Sequence, residues 1–196
     1  MTELTSLLER RPVIVAIAGS NGAGKTTFFE SHLSATGLRF VNADALARSL
    51  EMTAYEASEL AAAIRSELLE QGESFIFETV FSDPVGDKLS FLKEAAEKGY
   101  SVVLCFIGIA NVETSEQRVL MRVSQGGHDV PPDKLQARFP RTLRNLSLAM
   151  RDLPCVLIFD NSDLRRPYRL VATFENGVET AQRDPIPAWL TAVITA

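Results

Sequence analysis

The stretch VIVAIAGSNGAGKTT, Val13–Thr27, constrains the fold of this chain more than any other. Its first six residues are apolar throughout, the pattern of a strand buried on both faces and far short of a membrane span. The glycine-rich segment that follows matches G-x-x-x-x-G-K-[ST] at Gly19, Gly24, Lys25 and Thr26. A loop of this kind, set between a strand and a helix, turns backbone N–H groups inward around phosphates, and the helix N-terminus adds positive potential. Gly19, Ser20, Asn21, Gly22, Ala23, Gly24, Lys25, Thr26 and Thr27 are therefore expected to hold a nucleoside triphosphate, ATP. In such loops the lysine reaches the β- and γ-phosphates and the Ser/Thr hydroxyl ligates Mg²⁺, which assigns Lys25 and Thr26.

The rest of the sequence repeats the alternation of strand and helix. Apolar runs at Val13–Ala18, Phe40–Val41, Phe75–Phe77, Val102–Ile107 and Cys155–Phe159 are separated by helical patterns. The helices are expected near Lys25–Ala35, Ala54–Gln71, Pro84–Lys98, Val112–Ser124 and Pro132–Leu153. This order predicts a kinase-like three-layer α/β/α P-loop fold with a mainly parallel five-stranded sheet. In YRLVATFENGVETAQR, Asn176-Gly177 separates two strand-like halves, which predicts a C-terminal antiparallel edge hairpin over about 168–182. A short helix is expected near Ala188–Val193. All 196 residues read as one domain, with a lid over about 112–152.

Two uses of the nucleotide fit this frame. In the first, SQGGH (Ser124–His128) is a signature-like loop and CVLIFD (Cys155–Asp160) a strand ending in a magnesium-binding aspartate, as in an ABC-type ATPase module with no phosphoryl acceptor. Against it, Asn161 stands where a catalytic glutamate belongs, and Pro131-Pro132 breaks the expected signature helix. In the second, the chain is a small-molecule kinase, with acceptor groups at the C-terminal ends of strands beside the phosphate loop. Asp44 follows the second strand and Glu78 ends the third, so both carboxylates fall at that crevice. Asp44 is assigned as the base that orients the acceptor hydroxyl; capping of the following helix is its bland alternative. Glu78, costly to bury unpaired, is given an acceptor hydroxyl or a magnesium-bound water. Thr79 beside it is a weaker acceptor contact.

The arginines of the lid would neutralise charge on the transferred group. Arg118 and Arg122 share a helix face; one is expected in solvent, and Arg122, next to Gly126-Gly127, is chosen as functional. In the next helix, Leu135, Phe139, Leu143, Leu146, Met150 and Leu153 form an apolar stripe, flanked by Arg138, Arg141 and Asn145, with Arg144 and Arg151 in water. Pro140 is expected to disturb that phase. Asn161, after the last central strand, is assigned to the adenine base, with Arg165 or Arg166 stacking there.

Taken together, GSNGAGKTT, NADALAR, FETVFS, RVSQGGHDVPPDKLQARFPRTLRNL and FDNS resemble, in this order, the zeta-toxin-like kinases. The resemblance spans roughly Val13–Ser162 and is strongest to the short bacterial branch often labelled predicted ABC-type ATPase. It implies transfer of phosphate from ATP, with Mg²⁺, to a hydroxyl of a UDP-sugar such as UDP-N-acetylglucosamine. By position it makes Lys25 the loop lysine, Asp44 the base, Glu78 and Thr79 acceptor contacts and Arg122 the first lid arginine. His128 stands where the family has a second lid arginine, a role left to Arg138 for substrate binding or Arg141 for catalysis. The resemblance also allows for an antitoxin protein as partner.

Composition bears on what remains. Net charge is −5, so nucleic acid is not an expected partner. Cys105 and Cys155 each sit in an apolar run, as buried thiols do in a reducing compartment. With no apolar stretch long enough to span a bilayer, a cytoplasmic protein without membrane partners is expected.

Overall fold

A computed structural model describes residues 6–126 and 129–195. Its centre is the strand expected from the apolar run, β1 (Val13–Ala18), with every residue buried. Parallel neighbours flank it directly, β3 (Phe75–Thr79) on one side and β4 (Ser101–Gly108) on the other. β2 (Arg39–Val41) extends the sheet beyond β3, and β5 (Cys155–Asp160) extends it beyond β4, both parallel. An antiparallel pair, β6 (Arg169–Glu175) and β7 (Val178–Gln182), completes the order β2-β3-β1-β4-β5-β6-β7. Asn176 and Gly177 both take positive φ, 51° and 81°, the backbone that a tight hairpin turn requires. The fold is an α/β P-loop kinase fold, mainly parallel with C-terminal antiparallel strands.

Both faces of the sheet are packed, and the period of two along the strands divides them. Ile14, Ala16, Phe75, Phe77, Leu104 and Phe106 point into one core; Val13, Val15, Ile17, Ile76, Val103 and Cys105 point into the other. Helix α1 (Lys25–His32), through Phe28, covers the second. The first is covered by α3 (Ala54–Glu70), α4 (Asp87–Glu97), α6 (Pro132–Asp152) and α7 (Ala188–Ile194). Two further helices border the site, α2 (Ala43–Leu50) and α5 (Val112–Ser124).

Local chemistry explains where the element ends depart from expectation. α1 stops at His32, not Ala35, and a 3₁₀ turn over Ser34–Thr36 leads to Gly37 in the left-handed region. α4 begins at Asp87, not Pro84, because Gly86 at φ 80° makes the entry. α2 is a separate helix: Asn42 caps it by accepting from the Ala45 N–H at 3.0 Å, and Glu51 ends it at φ 53°. Asp44 thus lies in the first turn and is not the cap. Thr53 and Glu56 then form a reciprocal capping box for α3. α6 runs through Pro140, and the expected stripe holds at Leu135, Leu146 and Met150, with Thr142 and Asn145 buried beside it.

Candidate active site

The phosphate loop is held by its own carbonyls. Lys25 Nζ donates to Ser20 O at 3.1 Å, and Ser115 Oγ of α5 donates to Asn21 O at 2.7 Å. The Asn161 amide donates to Ala23 O at 2.8 Å, and the Tyr168 hydroxyl donates to Gly24 O at 2.9 Å. Four donors therefore engage four of the five carbonyls from Ser20 to Gly24. With these carbonyls engaged, loop N–H groups can serve an anion, except that of Ala23, which donates to Ser20 O at 3.2 Å. Gly24, at φ 92°, has no room for a side chain: a Cβ would meet Asn161 Nδ2 and the Tyr168 hydroxyl at 2.8 Å. Asn161 is 3% exposed, so what it touches is the loop. Arg165 and Arg166 are exposed.

Register places the first carboxylate. Ile17 pairs with Glu78 and Ala18 with Thr79, so β3 ends beside the start of the loop. Glu78 Oε2 accepts from the Thr26 hydroxyl at 2.8 Å and from Asn42 Nδ2 at 2.9 Å, and Glu78 Oε1 lies 3.7 Å from Lys25 Nζ. Burial is the main cause that holds the Lys25 ammonium below the usual lysine range. Glu78 and then Asp44 oppose that shift, and Arg122 adds to it, so all three share the field of Lys25. Thr79 takes the Phe81 N–H on its hydroxyl at 3.0 Å, which shapes the turn after β3 around Phe81 at φ 61°.

The arginines divide differently from the expectation. Arg118 does not sit on a solvated face: it is half-buried, and its guanidinium donates to Asn161 O at 2.9 Å and Ser162 O at 3.2 Å. Desolvation lowers its pKa. Arg122, Arg138 and Arg141 line one cavity with Lys25, Asp44, Glu78 and Thr79. Arg138, Arg141 and Asn145 lie on one face of α6, as the phase predicts. Arg141 Nε donates to Ala137 O. Asn145 is spent on structure, with its amide on the carbonyls of Phe81 and Asp83 at 3.0 Å each. Thr142 adds a bond to Val80 O at 3.0 Å, so α6 pins the turn that forms the cavity floor. Arg144 and Arg151 are exposed, as expected. Gly127 and His128 lie outside the described residues.

The cavity has a volume of about 550 Å³ and opens beside the loop. Seven Lys and Arg side chains line it against four Asp and Glu, in a chain of net charge −5. At its loop end, the Thr26 hydroxyl and the Glu78 carboxylate are adjacent hard oxygen donors, which suits Mg²⁺. Asp160 is not placed for a metal. Trp189 Nε1 donates to it at 3.0 Å and the Ser162 hydroxyl at 2.6 Å, and Arg169 pairs with it at 3.4 Å. It fixes the turn from which Asn161 reaches the loop, and the magnesium-binding role weighed for it in the ATPase reading falls.

Several contributors carry weak sequence signals or none. Asn42 is announced by its place before a helical pattern; Ser115, Thr142, Tyr168 and Trp189 are visible only through tertiary contacts.

A phosphate loop between β1 and α1, a carboxylate on the adjacent strand and a cationic cavity beside them define a P-loop kinase. The chain belongs to the zeta toxin family, whose model matches residues 39–169. No curated protein sequence matches it. Among solved structures, the AvrRxo1-ORF1:AvrRxo1-ORF2 complex with ATP is similar at TM-score 0.73 and 21% identity, covering 98% of this chain and 67% of that one. A toxin–antitoxin structure, PezAT of Streptococcus pneumoniae, is similar at TM-score 0.55 and 16% identity, covering 99% and 83%. Deoxyadenosine kinase of M. mycoides with bound dATP follows at 0.50 and 17%, covering 78% and 94%. At these identities the likeness is one of fold. Among the described residues, no helix is long and apolar enough to cross a membrane.

Proposed function

We propose that this chain transfers the γ-phosphoryl group of ATP to a hydroxyl of a small molecule, a nucleotide sugar such as UDP-N-acetylglucosamine. The observation that carries this reading is the cavity itself. A hydrolytic ATPase needs space for a water, whereas this cavity extends from Lys25 and Asp44 to Arg138 and Arg141 on α6. The AvrRxo1 complex holds ATP, and that neighbour supports ATP as the donor here.

In this reading, residues Gly19–Thr27 hold the triphosphate. Thr26 and Glu78 would hold Mg²⁺, directly or through water, and the ion when bound neutralises phosphate charge. Asp44 orients the acceptor hydroxyl and takes its proton as the oxygen bonds to the γ-phosphorus. The bond from that phosphorus to the β-phosphate oxygen breaks, and ADP leaves. Lys25, Arg122 and Arg141 offset the charge that builds on the transferred group. Thr79 and Arg138 position the acceptor. Asn161 acts on the nucleotide by fixing the loop. The helix pair α5–α6 forms the lid over this site, within one domain. Closing it excludes water and limits hydrolysis. PezAT is a toxin–antitoxin system, which supports an antitoxin as a partner of this chain.

The test is mass spectrometry of products after incubation with ATP, Mg²⁺ and a panel of UDP-sugars, with Lys25→Ala as control. One sugar should gain a phosphoryl group with the parent and none with the control. ADP and free phosphate with every sugar unchanged would overturn the UDP-sugar reading.

A further inference from the structure

Among the cavity-lining cations, Arg65 is the one that comes from α3 and lies over aromatic rings. It sits on α3 and reaches the cavity together with Ser58 and Ala61, which precede it on the same helical face. Its guanidinium carbon lies 5.0 Å from the centre of the Phe77 ring and 5.8 Å from that of Phe91. The side chain is half-buried. Among the described residues no carboxylate lies within ion-pair distance of it and no acceptor within hydrogen-bond distance. Desolvation alone lowers its pKa, with no carboxylate acting against the shift.

A partly desolvated charge without a counter-ion is costly, and two phenyl faces offset only part of that cost. Had the position needed only a prop between Phe77 and Phe91, an apolar side chain would serve without the penalty. The guanidinium keeps its donor edge unspent, and that planar fork matches a phosphate group bidentately. Small residues, Ser58 and Ala61, leave room on the same side. Lys88 and Arg141 also line the cavity. Asp83 adds a second unmet demand there: among the described residues its buried Oδ1 has no partner, which calls for a donor on the ligand. An acceptor that carries both an anion and a polar N–H or O–H satisfies the two together.

We propose that Arg65 is a substrate-binding residue that recognises the diphosphate of the acceptor, so that the enzyme takes nucleotide-linked sugars and discriminates against free ones. This rests on the reading of the cavity as the acceptor site, and it names a residue outside the loop and lid that sets acceptor choice.

The experiment uses the full chain with Mg²⁺ and a non-hydrolysable ATP analogue at saturation, so that the phosphate loop is filled. UDP, inorganic pyrophosphate and free N-acetylglucosamine are titrated by calorimetry into the parent, Arg65→Gln and Arg65→Lys. Arg65→Gln should weaken UDP and pyrophosphate at least tenfold and leave analogue affinity unchanged. Arg65→Lys should fall between, as it keeps the charge and loses the fork. Unchanged UDP and pyrophosphate affinity in Arg65→Gln overturns the assignment, as does failure of both to bind the analogue-loaded parent. Should Arg65→Gln fail to fold, parental affinities in Arg65→Lys overturn the fork recognition. UDP binding that depends on Arg65, with no UDP-sugar ever phosphorylated, would sink the kinase reading and leave this one standing. Phosphorylation of a UDP-sugar with a KM indifferent to Arg65→Gln would do the reverse.

Discussion

The phosphate loop and the cavity beside it share Lys25, yet they are built in opposite ways. In the loop, the carbonyls of Ser20, Asn21, Ala23 and Gly24 are tied down by Lys25, Ser115, Asn161 and Tyr168. In the cavity, polar groups are left open: Asp44 is exposed, and among the described residues Arg65 has no counter-ion and Asp83 keeps a buried oxygen without a partner. The loop backbone is braced before any ligand arrives, which keeps much of the cost of ordering it out of nucleotide binding. The cavity is completed by its ligand, so its affinity depends on groups the ligand brings. A tied loop suits a donor common to many enzymes; an open cavity suits selection among acceptors.

The most severe break in this contrast is at the shared residue. Lys25→Met should abolish phosphoryl transfer and weaken ATP binding by more than tenfold. It should also leave the ligand-free protein at least as stable as the parent. Burial holds the folded-state pKa of Lys25 below its ordinary value of 10.5, so the charged lysine disfavours folding. In the window between the lowered value and 10.5 the unfolded chain binds more protons, and parental stability rises with pH. The advantage of Lys25→Met should therefore be full below that window and vanish above it. Thermal melts of both proteins across alkaline pH check the sign; a variant that melts well below the parent near neutrality contradicts it.

Asp44→Asn acts chiefly on the open side. It should lower kcat by about 10²–10⁴, the usual worth of a positioned base, with ATP affinity within twofold of the parent. Single-turnover transfer beside a nucleotide titration separates the two. Parental transfer rates would remove Asp44 from the mechanism.

The same contrast governs what could be read without coordinates. The loop is written in consecutive residues: six apolar positions, then glycines at fixed spacing, then Lys25 and Thr26. The strands follow from apolar continuity, and the hairpin from Asn176-Gly177. Glu78 and Asp44 were legible as carboxylates at strand ends. That Glu78 meets Thr26 depends on the β1–β3 register, which no local pattern displays. Arg118 resembles a surface residue four positions before Arg122, and only the packing of α5 against the 160–162 turn turns it inward. Arg65 lies in AYEASELAAAIRSELLE, where an arginine among alanines and glutamates reads as solvent-facing. Its meaning comes from Phe77 and Phe91, 12 and 26 positions further along the chain. Asp160 shows the opposite error. An aspartate after an apolar strand invites a metal, and the invitation fails because Trp189 in the last helix claims it.

Within the loop, Gly24→Ala tests how closely it is fitted. The new Cβ would stand 2.8 Å from two polar atoms at a backbone φ of 92° that alanine rarely adopts. Strain alone is worth about 1–3 kcal/mol, and either the loop or its supports must shift to relieve it. The melting temperature should fall by several degrees, and ATP affinity should fall with it. Equal melting and equal affinity would mean that the loop is not held by Asn161 and Tyr168.

Tyr168→Phe should have the smallest effect, and the size of that effect distinguishes two ways of bracing. The hydroxyl is one of two donors on Gly24 O, because the Phe28 N–H reaches the same oxygen at 2.9 Å as the helix begins. Its loss leaves that carbonyl satisfied, though the hydroxyl also meets the Thr27 and Asn161 side chains, so the cost is about 1 kcal/mol per net hydrogen bond lost. For a chain of this size that is a shift of about 2–4 °C in melting temperature. The ring still packs edge-on against Phe28, with centroids 5.3 Å apart, so the fold around it should persist. If the hydroxyl only stabilises the fold, melting falls and ATP affinity does not. If it also sets the direction of the loop N–H groups, ATP affinity falls twofold to fivefold while acceptor KM stays at the parental value. A rise in acceptor KM alone would reverse the comparison, since it would place Tyr168 with the open cavity and not with the tied loop.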